Sequence, residues 1–472
     1  MDNHIKHAQF SGNLVMVGFG SIGRGVLPLF LRHLQMDPWQ IIIYAPEGDP
    51  EGIARKYGAT CERLAITEEN YRSVLEPHLN KGDFLVNLSV NVSSLALIEL
   101  CWQRHAHYID TCIEPWEGGY TDTALTASQR SNYALREQAL EFSRGKHKGP
   151  TAVISQGANP GLVSAFVKQG LMNIAHDNDL EIERPDTAED WARLAQRLGI
   201  KVIHIAERDT QIPSLRKRRG EFVNTWSIDG FVSEGMQPAE LGWGSHEKQW
   251  PEEARRHDYG CDAAIYLDRP GIHTRVRSWT PIEGPYHGFL ITHNEAISIA
   301  DYFTLKDGDT VIYRPTVHYA YHPCDDAVLS IHEIAGKNMQ MQAGTRLIRD
   351  EIVSGTDELG VLLMGNKEGV YWYGSRLSIE QARQLAPHNN ATSLQVAAGV
   401  LAGVVCALKD PDLGVVEPDD IDEEEMLKVA EPYLGDIVGV YGDWTPLQDR
   451  TALFDEDIDR DDPWQFKNIL VK

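Results

Sequence analysis

Short apolar runs separated by amphipathic stretches open the chain: LVMVG (Leu14 to Gly18), IIIY (Ile41 to Tyr44), FLVNLS (Phe84 to Ser89), YIDT (Tyr108 to Thr111) and AVIS (Ala152 to Ser155). Such runs, bounded by turn residues, fit buried strands, and segments of helical period such as SIGRGVLPLFLRHL and TASQRSNYALREQALEF lie between them. This alternation predicts an α/β fold with a Rossmann-type parallel sheet over residues 1–155. The order of the strands is not contained in the pattern. After SQGANPG the rhythm changes. Helix-like LVSAFVKQGLMNIA and TAEDWARLAQRLG precede β-like KVIHIAERDT, EFVNTWSI, TRVRSWTPI and TVIYRPTVHYA, which predicts a second, α+β substrate domain over 156–390. In the remaining segment, 391–472, the apolar run Ser393 to Lys409 falls short of the roughly 18 to 20 residues that span a bilayer. It is expected to be a buried helix returning to the nucleotide domain. The acidic DDIDEEE that follows suits the first turn of another helix.

Composition narrows the partners. The 472 residues include 44 basic and 69 acidic side chains, a net charge of −25, which repels nucleic acid and anionic membranes and favours a cationic ligand. The six cysteines are scattered without a Cys-x-x-Cys pair, and MDNHIKHAQFSGN lacks the apolar run of a signal peptide, so free thiols in the cytoplasm are expected. No metal is expected either, because HPCDD has no second set of ligands at suitable spacing. The basic run LRKRRG reads as a solvated loop or as a grip for a substrate carboxylate.

VMVGFGSIGRG places Gly18-x-Gly20-x-x-Gly23 directly after a strand and at the opening of a helix. Gly18 permits the tight turn, Gly20 lets the backbone approach a pyrophosphate, and Gly23 allows close helix packing. The N–H groups of the first helical turn, at Ser21, Ile22 and Gly23, face the anion. An acid at the end of the second strand ordinarily binds the adenosine ribose. Here Ala45 occupies that place, Glu47 is the nearest substitute, and no Arg follows at once to hold a 2′-phosphate, so NAD is expected. Asn87, Ser89 and Thr111, at strand ends, are further cofactor-binding candidates.

Other strand ends and the loops after them carry candidates for chemistry: Glu114 in DTCIEPWEGG, Asn159 in ISQGANPG, Glu207 in VIHIAERD, Trp226 and Glu234 in EFVNTWSIDGFVSEGMQPAELGWG, and His293 in FLITHNEA. Singly, each is an ordinary structural residue type. Together they suit a protonated amine, which binds carboxylates through its N–H donors and aromatic faces through its charge. Oxidising the carbon beside that nitrogen first requires a neutral amine, whose reference pKa is about 10.4, so a base is needed. His293 or Glu207 could take the proton.

Over nearly its full length the sequence resembles the bacterial homospermidine synthases, relatives of the saccharopine and carboxynorspermidine dehydrogenases. The likeness rests on GFGSIGRG, TCIEPWEGGY, SQGANPG, AERDTQ, the long tryptophan stretch, THNEA and TDELGVLLMG. It implies a homodimer in which retained NAD is reduced and then reoxidised while an aminobutyl group passes from putrescine, or spermidine, to putrescine with loss of ammonia. Carried over by position, Trp226 would lie beside the reacting cation, Glu207 and Glu234 would hold ammonium groups, and Glu114, Asn159 and His293 would line the inner site. Asp357 and Glu358 of TDELG would add contacts. The departure at Ala45 leaves the ribose contact open. Two other readings are a saccharopine-type dehydrogenase consuming reduced cofactor stoichiometrically and a non-catalytic NAD-binding sensor.

Overall fold

The computed structural model of the protein describes residues 4–146, 148–450 and 456–472. Its contacts divide the chain into two units. The first comprises the described residues up to Leu162 together with Thr225–Gly230 and Leu377–Gly435. The second holds Val163–Asn224, Phe231–Arg376 and the described residues from Asp436 onward. These limits differ from the expected divisions at 155 and 390: the long last segment is split at Gly435, and a six-residue piece of the tryptophan stretch counts with the first unit. Such exchanges depend on packing partners far along the chain, which periodicity does not encode.

In the first unit, β1 (Leu14–Val17), β2 (Ile41–Ala45), β3 (Thr60–Arg63), β4 (Phe84–Asn87), β5 (His107–Asp110) and β6 (Gly149–Val153) form a parallel sheet. Their order is 3-2-1-4-5-6, and strand Leu413–Val416 adds beyond β6. The order reverses between β1 and β4, where sheets of this kind receive a dinucleotide. All residues of β1, β4 and β5 are buried, as expected for strands covered on both faces. The apolar-run pattern passes over β3 because TCER, at the sheet edge, is polar and mostly exposed.

The apolar segment near the C-terminus is helix Ala391–Lys409. It is long and apolar enough to cross a membrane, yet 89% of its most apolar window is buried inside the protein. Gly399 allows its close approach to the SQGANPG loop, since a Cβ there would lie 1.9 Å from the Gly157 carbonyl oxygen. Asn390 caps the helix by accepting the Ser393 N–H at 2.8 Å, and its amide donates to the Thr225 carbonyl at 2.7 Å. Asn390→Ala is expected to cost about 1 to 2 kcal/mol of stability, measured as a lower thermal midpoint. An unchanged midpoint would mean that packing alone sets this helix. Further on, Asp422 caps helix Glu423–Ala430 and three glutamates occupy its first turn.

The second unit is built on a ten-stranded mixed sheet. At its centre β7 (Val202–Asp209) runs parallel to β8 (Thr316–His322) and antiparallel to β9 (Thr356–Asn366). TVIYRPTVHYA, which reads as one β-like run, is two strands, Thr310–Tyr313 and Thr316–His322, interrupted at Arg314–Pro315 where proline supplies no N–H to a ladder. EFVNTWSI is strand only to Asn224, and Thr225 and Trp226 form a bend before helix Ile228–Met236. Alternation along β7 sends Glu207 and Asp209 to one face and Arg208 to the other. Register then puts Tyr321 beside Glu207, Leu359 opposite it and Asp357 opposite Asp209, all on that face.

Candidate active site

Candidates in the first unit gather at the carboxyl edge of the parallel sheet. Gly18 directly follows β1 with φ 96°, and a side chain there would strike the Leu88 carbonyl oxygen at 2.6 Å. Gly20 is exposed, precedes helix Ser21–His33, and a Cβ on it would meet no atom within 4 Å. Open space above a helix N-terminus with no side-chain cap is the surround a pyrophosphate needs, so these residues fit a dinucleotide. Beyond β4, Asn87 accepts the Ser89 hydroxyl at 2.6 Å and donates to Tyr108 at 3.3 Å. Glu114 is buried and ties into the same loop, accepting the Asn91 N–H at 3.3 Å while its own N–H donates to Ser94 at 3.0 Å. Thr111 sits just past β5 and Glu47 lies exposed in the turn after β2.

Asn159 belongs to the loop after β6, where the Gly157 N–H donates to the Pro160 carbonyl and the Gln156 N–H donates to the Asp110 carbonyl, each at 2.7 Å. Asp110, absent from the sequence-based candidates, organises this edge. One of its oxygens accepts the Ser155 N–H at 2.6 Å and the other the Tyr108 hydroxyl at 2.8 Å. Ser155 adopts the left-handed conformation with φ 58°, costly for a residue with a Cβ, and the Asp110 bond fixes it there. Burial pushes the Asp110 carboxyl up to about 6, against the hydrogen bonds it accepts. Trp226, half-buried, lies in the bend whose Thr225 carbonyl is held by Asn390.

The second unit brings Glu207, Glu234 and His293 into one cluster. His293 precedes helix Asn294–Tyr302, and its Nε2 lies 3.1 Å from a Glu234 oxygen. Its Nδ1 lies 3.1 Å from Glu295, a residue that sequence reasoning passed over although THNEA places it two positions away. Burial disfavours charge on the ring, but Glu295 and Glu234 outweigh it and raise His293 to about 10. Tyr319, also unforeseen, donates its hydroxyl to Glu207, and its ring centroid lies 4.4 Å from that of His293. Tyr321 stacks on Tyr319 at 5.0 Å. Burial, then the Glu207 charge, holds the Tyr319 hydroxyl well above its usual range, so it remains a donor.

Asp357 shares the face of β7 that carries Glu207, opposite Asp209, whose carboxylate accepts both N–H groups of Gln211. Glu358 departs from its expected substrate role. It points to the other face and accepts the Thr280 hydroxyl at 2.7 Å, the Ile282 N–H at 2.9 Å and the Glu283 N–H at 3.3 Å, closing a turn between strands. Strict alternation in a strand decides this, since neighbouring acids cannot serve one face. Within the tryptophan stretch, Glu221 pairs with Arg346 at 2.9 Å and Glu240 accepts Thr292 at 2.7 Å, so those carboxylates are structural. Two cations of LRKRRG are likewise engaged within the chain, Arg216 with Asp326 and Lys217 with Glu333.

Among the described residues, no group of three or more His, Cys, Asp or Glu is arranged to hold a metal ion. The profile of the saccharopine dehydrogenase NADP binding domain matches residues 14–153, and that of the saccharopine dehydrogenase C-terminal domain matches residues 157–443. The homospermidine synthase of Blastochloris viridis is 54% identical over 468 residues, 98% of each chain. That of Mesorhizobium japonicum is 49% identical over 478 residues, covering 100% of this chain and 99% of its own. The crystal structure of a Legionella pneumophila homospermidine synthase in complex with NAD superposes with a TM-score of 0.92 at 50% identity, covering 98% of both chains. Apo saccharopine dehydrogenase from Saccharomyces cerevisiae shares the fold at a TM-score of 0.50 with 9% identity. With half of all positions identical along the whole length and both domain profiles in place, the chain belongs to the homospermidine synthase family.

Proposed function

We propose that the protein is an NAD-dependent homospermidine synthase that transfers an aminobutyl group from putrescine, or spermidine, to a second putrescine and releases ammonia. The carrying observation is the buried cluster in which two carboxylates, Glu234 and Glu295, flank a single imidazole, and a third, Glu207, accepts the hydroxyl of Tyr319, whose ring faces that imidazole and stacks with Tyr321. Even with the imidazole charged, this cluster keeps excess negative charge, which suits an ammonium group. Glu207 and Glu234 hold substrate nitrogen, Trp226 offers its face to the cation, and Glu114, Asn159 and Asp357 contribute further polar contacts. When bound, NAD supplies a place for the hydride removed from the carbon beside nitrogen and returns it to the final imine, so the overall reaction is redox-neutral. The chain's own work is to strip and restore protons on nitrogen and to keep the intermediate imine from water. Because both His293 nitrogens face carboxylates, the ring offers no free lone pair, and the amine proton goes to a carboxylate such as Glu207.

Gly18, Gly20, Ser21, Ile22 and Gly23 would cradle the pyrophosphate, with Asn87, Ser89 and Thr111 at the adjoining strand ends. NAD rather than NADP is supported by the nearby arginines: Arg24 pairs with Glu51 at 2.6 Å and Arg63 donates to the Pro46 carbonyl at 3.3 Å, while Glu47 is exposed in the turn after β2. Gly20→Ala should fold with an unchanged thermal midpoint, since its Cβ meets only open space, yet bind NAD at least roughly tenfold more weakly. Equal affinity would contradict the pyrophosphate assignment. A cytoplasmic homodimer with aliphatic polyamines as its ligands completes the reading, in keeping with six free thiols.

The test is incubation of purified protein with putrescine and trace NAD, with assay of ammonia and secondary triamine. Many turnovers per cofactor are expected. Stoichiometric consumption of reduced cofactor would indicate a saccharopine-type dehydrogenase instead, and no ammonia at all a sensor. The internal pairing of Arg216 and Lys217 already weighs against a carboxylate-bearing substrate gripped by LRKRRG.

A further inference from the structure

Glu295 has no part in the scheme above, yet it is 1% exposed, touches His293 through one oxygen, and its second oxygen is buried without a hydrogen-bond partner. An imidazole with one proton can donate from one nitrogen only, and its other lone pair would then oppose the lone pairs of a carboxylate. With Glu234 on Nε2 and Glu295 on Nδ1, each at 3.1 Å, one extra proton must reside in the trio. Whether drawn as imidazolium between two carboxylates or as neutral imidazole beside one carboxylic acid, the net charge is −1. The other groups around the ring agree. Tyr319 faces it and donates to Glu207, Tyr321 stacks behind, and Glu240, which lies 3.4 Å from His257 Nε2, accepts the hydroxyl of the adjacent Thr292. Burial and the N-terminus of the helix that follows His293 both oppose positive charge on the ring itself.

We propose that Glu295 is a positioning residue that keeps the Glu234–His293–Glu295 trio loaded with a proton, and that this proton is donated through Glu234 when ammonia departs. The inference rests on the synthase reading. In that step the second amine has added to the imine carbon, giving a carbon that bears two nitrogens. The departing NH2 takes a proton from Glu234, which is reprotonated by His293 Nε2. The carbon–nitrogen bond breaks with its electron pair on the leaving nitrogen, ammonia is released, and the lone pair of the remaining nitrogen forms the new protonated imine. The trio, now one proton poorer, is reloaded in the next cycle when the entering ammonium is neutralised at Glu234 before it attacks, while the proton of the amine being oxidised goes to Glu207. Proton count and charge balance over the cycle.

The experiment follows the His293 ring by NMR with labelled histidine in the NAD-bound enzyme, assigned with His293→Gln. In the wild type the ring is expected to stay doubly protonated from pH 6 to 9. Glu295→Gln, which keeps the shape and removes the charge, should move its titration down by at least about one pH unit. Stopped-flow absorbance of cofactor reduction on mixing with putrescine should be retained, while ammonia release slows at least roughly tenfold at pH 9. Glu295→Asp should recover part of both. An unmoved His293 titration in a folded Glu295→Gln protein, or equal loss of cofactor reduction and ammonia release, overturns the proposal and leaves the synthase reading intact. A wild-type enzyme with the expected titration but no ammonia release overturns the synthase reading, and the donor role with it.

Discussion

Glu234→Gln is expected to lower turnover of putrescine by about two orders of magnitude while NAD binding stays near normal. Glutamine preserves shape and one acceptor, so the loss reports charge. Removing one partner of a buried, hydrogen-bonded charge pair costs about 2 to 5 kcal/mol, roughly thirty- to several-thousandfold in rate. Both side chains of the Glu234–His293 contact are nearly inaccessible, at 8% and 6% exposure, so solvent gives little screening. A pH signature accompanies the loss. The folded pKa of His293, raised from 6.5 to about 10, lies above its unfolded value. Its contribution to stability is therefore complete below about pH 6.5 and disappears as pH rises through about 10. Without Glu234 the folded value falls back toward the unfolded one, so that decline should be smaller and end at a lower pH, which thermal midpoints recorded from pH 6 to 10 would reveal. Normal turnover with an unaltered pH profile would remove Glu234 from the site, and parallel loss of NAD binding would indicate misfolding.

Trp226→Ala should reduce turnover about thirtyfold, the equivalent of a desolvated cation–π contact of about 2 kcal/mol. Trp226→Phe keeps a ring face of weaker attraction and should lie between. The indole is half-buried in a bend between a strand and a helix, rather than sealed into the core of either unit. Its removal is thus expected to leave stability within about 0.5 kcal/mol of the wild type, as for surface changes, and the thermal midpoint nearly unmoved. The opposite pattern, near-normal turnover with a lower midpoint, would make Trp226 a packing residue and take the aromatic element out of the proposed chemistry.

Much of the first unit was legible because its signals are local. A buried parallel strand reads as an apolar run, and a glycine triplet at a strand-to-helix turn answers to steric demands within a few residues. Edge strand Thr60–Arg63 escaped for the same reason in reverse: its polar side chains face solvent and carry no periodic mark. In the second unit, Glu207 and His293 were legible by residue type and by place at a strand or loop end. Which side chains they meet was not. Glu234 meets His293 across 59 positions and Tyr319 meets Glu207 across 112, distances over which register alone decides who is neighbour to whom. TDELG set two acids side by side, and only the strand could tell them apart, turning Asp357 toward the Glu207 face and committing Glu358 to a turn on the other.

Chain periodicity and residue chemistry thus established a nucleotide-type α/β domain, an anionic character suited to an amine, and the family pattern, since each depends on short-range sterics or on charge totals. Tertiary structure decided strand order, the partition of the C-terminal segment, and the proton inventory around His293. Those rest on which side chains share a face or exclude water together, properties that exist only once distant segments are hydrogen-bonded in register.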